Sequence, residues 1–114
     1  QRYELSGLES TTHNNLAGIV NPYSLTSRSY IKVNGSREGR LIISNLKGNK
    51  IWIISDIDEY VEIDSEEMNC FKETELMNNF VSGDGFPELT EGYNSISFEA
   101  GSTSIEIIPR WVSL

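Results

Sequence analysis

The chain has 114 residues, room for one domain that buries about 60 to 70 % of its unfolded surface. Its 9 basic and 17 acidic residues leave a net charge of −8, the wrong sign for displacing counterions from nucleic acid or for attraction to an anionic membrane surface. The single cysteine, Cys70, excludes an intrachain disulfide framework and a cysteine-based zinc site; no apolar run is long enough to span a membrane as a helix. Gln1-Arg2-Tyr3-Glu4 lacks the apolar core of a signal peptide, and the absence of a starting Met is expected of an excised domain or a processed chain.

In chain order, Tyr3 and Leu5 fit one face of a short strand, followed by a polar loop from Ser6 to Asn15 that carries the lone histidine, His13. Leu16 to Val20 is a second strand, closed by Asn21-Pro22, and a loop to Arg28 follows. Tyr30 to Val33 turns Ile31 and Val33 inward and Tyr30 and Lys32 outward, and Asn34-Gly35 is a hairpin signal. Arg40 to Ser44 and Lys50 to Ile54 flank Leu46-Lys47-Gly48-Asn49, a second turn of hairpin composition. Every residue of Ile51-Trp52-Ile53-Ile54 is apolar, which predicts a strand covered on both faces or central to the sandwich, with Trp52 in the core.

After the acidic turn Asp56-Ile57-Asp58-Glu59, Tyr60 to Asp64 alternates with Val61 and Ile63 inward, and a short strand follows at Asn69 to Lys72. Lys72 to Asn79 holds the only good helix formers, Glu73, Glu75, Leu76 and Met77, enough for a turn of helix or a loop. Val81 to Gly85 is expected to be a mobile connection into Phe86-Pro87-Glu88-Leu89, itself a loop. The chain then turns at Glu91-Gly92, runs through Ile96 and Phe98, reverses at Ala100-Gly101-Ser102 and returns through Ile105 and Ile107, a pattern that predicts a terminal β-hairpin.

Many short strands without a long helical pattern, repeat or internal boundary predict a single β-sandwich or barrel domain over residues 1–114. Its expected core is Ile31, Val33, Ile43, Ile53, Val61, Ile63, Ile96, Phe98, Ile105 and Ile107.

Chemistry is sparse. Asp56, Asp58 and Glu59, and again Asp64, Glu66 and Glu67, have oxygen ligands that calcium favours, but the offsets and glycine of a calcium loop are missing, so solvated acidic turns are expected. Two carboxylates across a cleft would suit a glycosidase, and nothing in the spacing brings a pair together. His13 and Cys70 would form a nucleophilic dyad only if the fold joined them, and Cys70 between Asn69 and Phe71 fits a half-buried strand thiol. Gly83 and Gly85 lead into Phe86-Pro87 and not into a helix, so no phosphate cradle forms. Asn34-Gly35-Ser36 has the form of a glycosylation acceptor and fits a turn equally well. The expected catalytic, cofactor and metal sites are therefore none.

Several segments occur together in an order that resembles one family: Ser29-Tyr30-Ile31-Lys32-Val33-Asn34-Gly35, Val61-Glu62-Ile63-Asp64-Ser65, Phe86-Pro87-Glu88-Leu89, Gly92-Tyr93-Asn94-Ser95-Ile96 and Ile107-Ile108-Pro109-Arg110-Trp111. Across the last three quarters of its length the chain resembles the C-terminal domain of siphophage distal tail proteins. That resemblance implies an all-β, galectin-like jelly-roll sandwich, a structural and non-enzymatic role at the tail tip of a virion assembled in the bacterial cytoplasm, and no cofactor. It also implies partners: a ring-forming N-terminal domain and neighbouring receptor-binding or adsorption proteins.

The alternative is a carbohydrate-binding module that aids adsorption, since galectin-like sandwiches stack sugars on aromatic rings. Galectins carry His-Asn-Arg and a tryptophan near a glutamate and an arginine; here His13 is followed by Asn14-Asn15, and Trp52 sits among isoleucines, which leaves Tyr23, Tyr30 and Tyr93 as stacking candidates. The isolated chain is expected to be a monomer, because like copies at −8 repel and the apolar residues fall on faces a two-sheet core consumes, with unpaired edge strands the route by which copies could join.

Overall fold

The computed structural model describes residues 4–14, 16–35, 38–55, 59–73, 75–76, 81–83, 85–99 and 102–113. One antiparallel sheet has six strands, from edge to edge β10 (Glu75–Leu76), β9 (Asn69–Lys72), β8 (Glu59–Asp64), β5 (Tyr30–Gly35), β14 (Ser102–Ile108) and β2 (Thr11–His13). The other has five: β11 (Val81–Gly83), β7 (Gly48–Ile54), β6 (Gly39–Asn45), β13 (Gly92–Glu99) and β3 (Leu16–Asn21). Two ribbons complete the fold, β1 (Glu4–Ser6) with β15 (Trp111–Ser113) and β4 (Ser27–Arg28) with β12 (Glu88–Leu89). The protein is an all-β antiparallel sandwich of jelly-roll type.

Alternation builds the core directly. In the six-stranded sheet Cys70, Ile63, Ile31 and Ile107 lie side by side across four strands, and Val61, Val33 and Ile105 form the next row. The five-stranded sheet answers with Trp52, Leu41 and Phe98 in one row and Ile43, Ile96 and Ala17 in the next. All of these are buried. Nine of the ten expected core residues are among them; the tenth, Ile53, is 49 % exposed, because Trp52 and Ile54 are the residues of β7 that face inward. The continuous apolar run of β7 is thus covered on one face only.

Two expected hairpins are not hairpins. Asn34-Gly35 continues β5, with Gly35 opposite Glu59 and Ser102, and β5 and β6 lie in different sheets. Likewise β13 and β14 belong to opposite sheets, so Ile96 and Phe98 face Ile105 and Ile107 through the core, not along one surface. The physical reason is shared: each strand has one apolar face, and crossing between sheets buries both faces against each other. Residues 36, 37, 100 and 101 of these connections lie outside the described residues. The β6–β7 hairpin forms as expected, with Asn45 opposite Gly48, whose φ of 98° suits glycine.

Five segments expected as irregular are strands. Thr11–His13 pairs with β14, Glu75–Leu76 with β9 and Val81–Gly83 with β7, while Ser27–Arg28 and Glu88–Leu89 pair with each other. For Glu75–Leu76 the helix formers are overridden by Glu73, whose φ of 57° reverses the chain so that it pairs back on Phe71 and Lys72; Met77 lies outside the described residues. Val81–Gly83 is a paired strand, not a loose connection, and Gly83 leaves room for the Trp52 ring, which a Cβ would approach to 2.3 Å.

Buried amides fix the other end. Asn94 is fully buried; its Nδ2 donates to the carbonyls of Ile19, Thr90 and Gly92, and its Oδ1 accepts from Thr90 N and Asn45 Nδ2. Asn45 also donates to Glu88 O, and Asn21 donates to Leu25 O and Leu89 O. The Glu91-Gly92 reversal is closed by this network, with Gly92 at φ 84°.

Truncation should separate the two kinds of isoleucine. Ile105→Ala, at a fully buried site, is expected to cost about 2 to 5 kcal/mol, and Ile53→Ala about 0.5 kcal/mol, as read by chemical denaturation.

Candidate functional site

An open cleft of about 450 Å³ has Asp64 with Arg110 as its charged centre and Leu5, Leu8 and Val112 as its apolar wall. Asp64 ends β8 and turns its carboxylate into the following reversal, where Oδ1 accepts from the backbone N–H of Glu66 at 3.0 Å and Glu67 at 3.2 Å. Arg110 reaches it from the far end of the chain. Its Nη1 donates to Oδ1 at 2.6 Å and its Nη2 to Oδ2 at 3.0 Å, a bidentate pair with both side chains largely withdrawn from water.

Local backbone aims Arg110. Pro109 ends β14, and Arg110 takes a left-handed φ of 57° that bends the chain into β15, while its N–H donates to Gly7 O. One residue therefore ties the β14–β15 corner, the loop after β1 and the β8–β9 turn. The guanidinium also lies 5.7 Å from the Tyr30 ring, and Tyr30 donates its hydroxyl to Glu62 Oε1 at 2.6 Å.

Electrostatics follow geometry. Burial pushes the Asp64 pKa up, but the Arg110 hydrogen bonds and charge and the amides of Glu67 and Glu66 outweigh it, so the group stays below its usual value of 3.8. The hydrogen bond to Asp64 raises Arg110 in turn. Burial, then the Glu62 hydrogen bond, raises Tyr30. A carboxylate held ionised by a guanidinium is a poor general acid or base at neutral pH; the arrangement is suited to locking three segments around a cleft.

The other sequence candidates are dispersed. Glu66 and Glu67 are exposed beside the cleft, Glu59 is exposed with Lys72 at 3.8 Å, and Asp56 and Asp58 lie outside the described residues. Among the described residues no three His, Cys, Asp or Glu side chains gather to hold a metal ion. His13 is hydrogen-bonded to Thr11 on the edge strand β2, whereas Cys70 sits on β9, four strand steps away, about 19 Å by strand spacing. Cys70 is fully buried, not half-buried, and burial pushes its thiol up to about 11, which suits a structural side chain.

Aromatic candidates are equally scattered. Trp52 is 2 % exposed and donates its Nε1–H to Gly85 O, so it offers no stacking face. Tyr30 and Tyr93 point outward from different sheets, on opposite sides of the sandwich, and Tyr23 is half-buried in a loop. Asn34 donates to Ser104 Oγ and Glu106 Oε2 from within β5.

The residue that sequence reasoning missed as a site former is Arg110. The signals were present: Pro109 marks a bend before it, and Asp64 followed by Ser65-Glu66-Glu67 has the composition of an Asx turn. No protein-family model matches the chain, and no curated protein matches it in sequence.

The ion pair carries a pH signature. A carboxylate whose folded pKa is lowered stabilises the fold above its unfolded pKa, and the contribution is lost as pH falls through the folded value. Asp64→Asn is therefore expected to cost about 2 to 4 kcal/mol at pH 7, with the gap to wild type shrinking below about pH 4; denaturation curves across pH check this.

Proposed function

We propose that the chain is a structural module of a phage or prophage tail tip, the C-terminal galectin-like domain of a distal tail protein, whose work is to present a rigid sandwich to neighbouring tail proteins. What carries the reading is that the segments resembling that family interlock here. Arg110 of the Pro-Arg-Trp segment grips Asp64 of the Ile-Asp segment; Ser65 N donates to Ser29 O and Ser29 Oγ to Pro87 O; and Asn94 closes the Gly-Tyr-Asn turn. Residues far apart in the chain are thus the ones that fix the fold's corners, as expected of positions set by architecture.

In this reading the chain is not an enzyme, uses no cofactor and contacts neither nucleic acid nor membrane. A ring-forming N-terminal domain and adsorption proteins are its partners, and the mature location is the virion tail. Immunogold labelling of virions from the phage or induced prophage that encodes the chain tests it: label is expected at the tail tip, and its absence from virions, or its presence on capsids, rejects the reading.

The carbohydrate reading loses its galectin-type basis, because Trp52 is buried and His13 is bound to Thr11 at the edge of the other sheet. Lactose is expected to leave the melting temperature unchanged, whereas a sugar bound at a hundred times its dissociation constant would add about 2.7 kcal/mol.

A further inference from the structure

We propose that β3 is the seam of a homodimer, in which two copies pair antiparallel about Gly18 and join their five-stranded sheets into one continuous sheet. This is independent of the tail-tip reading, since it rests on the shape and charge of one edge.

Among the described residues the two sheets end on four strands. Three are short: β10 has two residues, one of them Glu75, and β11 and β2 have three each. The fourth, β3, has six, Leu16–Asn21, and none is charged. Soluble proteins guard such edges with lysine, inward charge, proline or brevity. Here the charged guard is missing over a longer span, for no Asp, Glu, Lys or Arg occurs from Ser10 to Ser27 in a chain that has 26 of them, 9 basic and 17 acidic, and Pro22 stands just past the strand's end, not within it. The charge of −8 that should keep copies apart is carried elsewhere.

The outward face of this edge is apolar. Leu16 is 67 % exposed, Val20 61 % and Tyr93, opposite Val20 on β13, 63 %. The expectation that the core consumes the apolar faces does not hold for this edge. Tyr93 reaches over Gly18, where an added Cβ would come within 2.5 Å of its Oη, so glycine lets the ring lie against β3 and carries the apolar face to the sheet's limit.

What points to a second copy, and not to another strand donor, is self-complementarity. A two-fold antiparallel pair must place one sequence against its own reverse. Centred on Gly18, it sets Leu16 opposite Val20 of the other copy, Ala17 opposite Ile19 and glycine opposite glycine. Apolar side chains then meet apolar ones on the outward face. The alternate backbone N–H and C=O groups of β3 that point away from β13 find partners in the same strand of the second copy. A slip of one residue would turn Leu16 and Val20 to opposite faces, so the register is specified.

A six-residue seam is at the small end of specific interfaces, so a dissociation constant in the micromolar range is expected. Sedimentation of the intact chain at physiological salt, from about one to hundreds of micromolar, should show a monomer–dimer equilibrium. Val20→Lys, at an exposed position that tolerates it, should raise the dissociation constant by about tenfold or more.

Register is read with cysteines. Opposed Cα atoms in such a pair are about 4.5 to 5.5 Å apart, within disulfide reach, so Leu16→Cys combined with Val20→Cys should give a covalent dimer on mild oxidation. Either single variant should not, because each residue then lies about 13 Å from its own copy, and the native Cys70 is buried. A double variant that stays monomeric, singles that crosslink as readily, or a dimer indifferent to Val20→Lys overturns the proposal; the first of these leaves the edge to a strand from another protein.

Discussion

The constraint on which much of this fold depends is the burial of one carboxamide. Asn94 has no contact with water, and a buried amide is tolerated only when its donors and acceptor all find partners. Satisfying it requires the 90–94 reversal to close on itself, Ile19 of β3 to lie opposite on one side, and Asn45 of β6 to arrive from the other. The hydrogen bonds therefore set the register at which β13 meets both neighbours. Asn45 and Asn21 then reach on to the carbonyls of Glu88 and Leu89, which suspends β12 over the end of the core and drives Leu89 into it.

The Arg110–Asp64 pair does a comparable job at another corner by different physics. There the groups are charged, and the attraction needed to offset their desolvation comes from bidentate geometry and from the two amides that also serve Asp64. Removing either partner would strand the other. Surface pairs such as Arg40 with Glu99, each side chain about half exposed, contribute little by contrast. Between the amide network and the ion pair, the 64–67 turn, the 90–94 reversal, the β14–β15 corner and β12 are tied to fixed points.

The surfaces of the sandwich are unequal. Acidic side chains border the Arg110 cleft, the outward face of β7 is apolar through Ile51 and Ile53, and the β3 edge carries no charge. A domain whose core is complete, with full burial in both sheets, has no folding reason to leave Leu16, Val20 and Tyr93 in water. The apolar groups outside the core are where contacts with other chains are to be sought.

Composition and period two were enough for the all-β class, for most strands and for nearly all of the core, because inward and outward residues of a half-buried strand differ in chemistry and that difference is written locally. Val61 and Ile63, Ile96 and Phe98, and Ile105 and Ile107 were legible for this reason. Trp52 was rightly placed in the core, but Ile53 was expected beside it and Ile54 was not, since an unbroken apolar run carries no phase, and only the register of β7 on β6 chose which residues turn inward. The tertiary structure alone decided which strands share a sheet. A glycine turn looks the same whether the chain folds back beside its strand or crosses to the opposite layer, and the choice made at Asn34-Gly35 and after Glu99 depends on burying two apolar faces together. The site was decided in the same way: Asp64 and Arg110 each gave a local sign, a turn and a bend, but their meeting is set by forty-five intervening residues of strand pairing that no local pattern encodes.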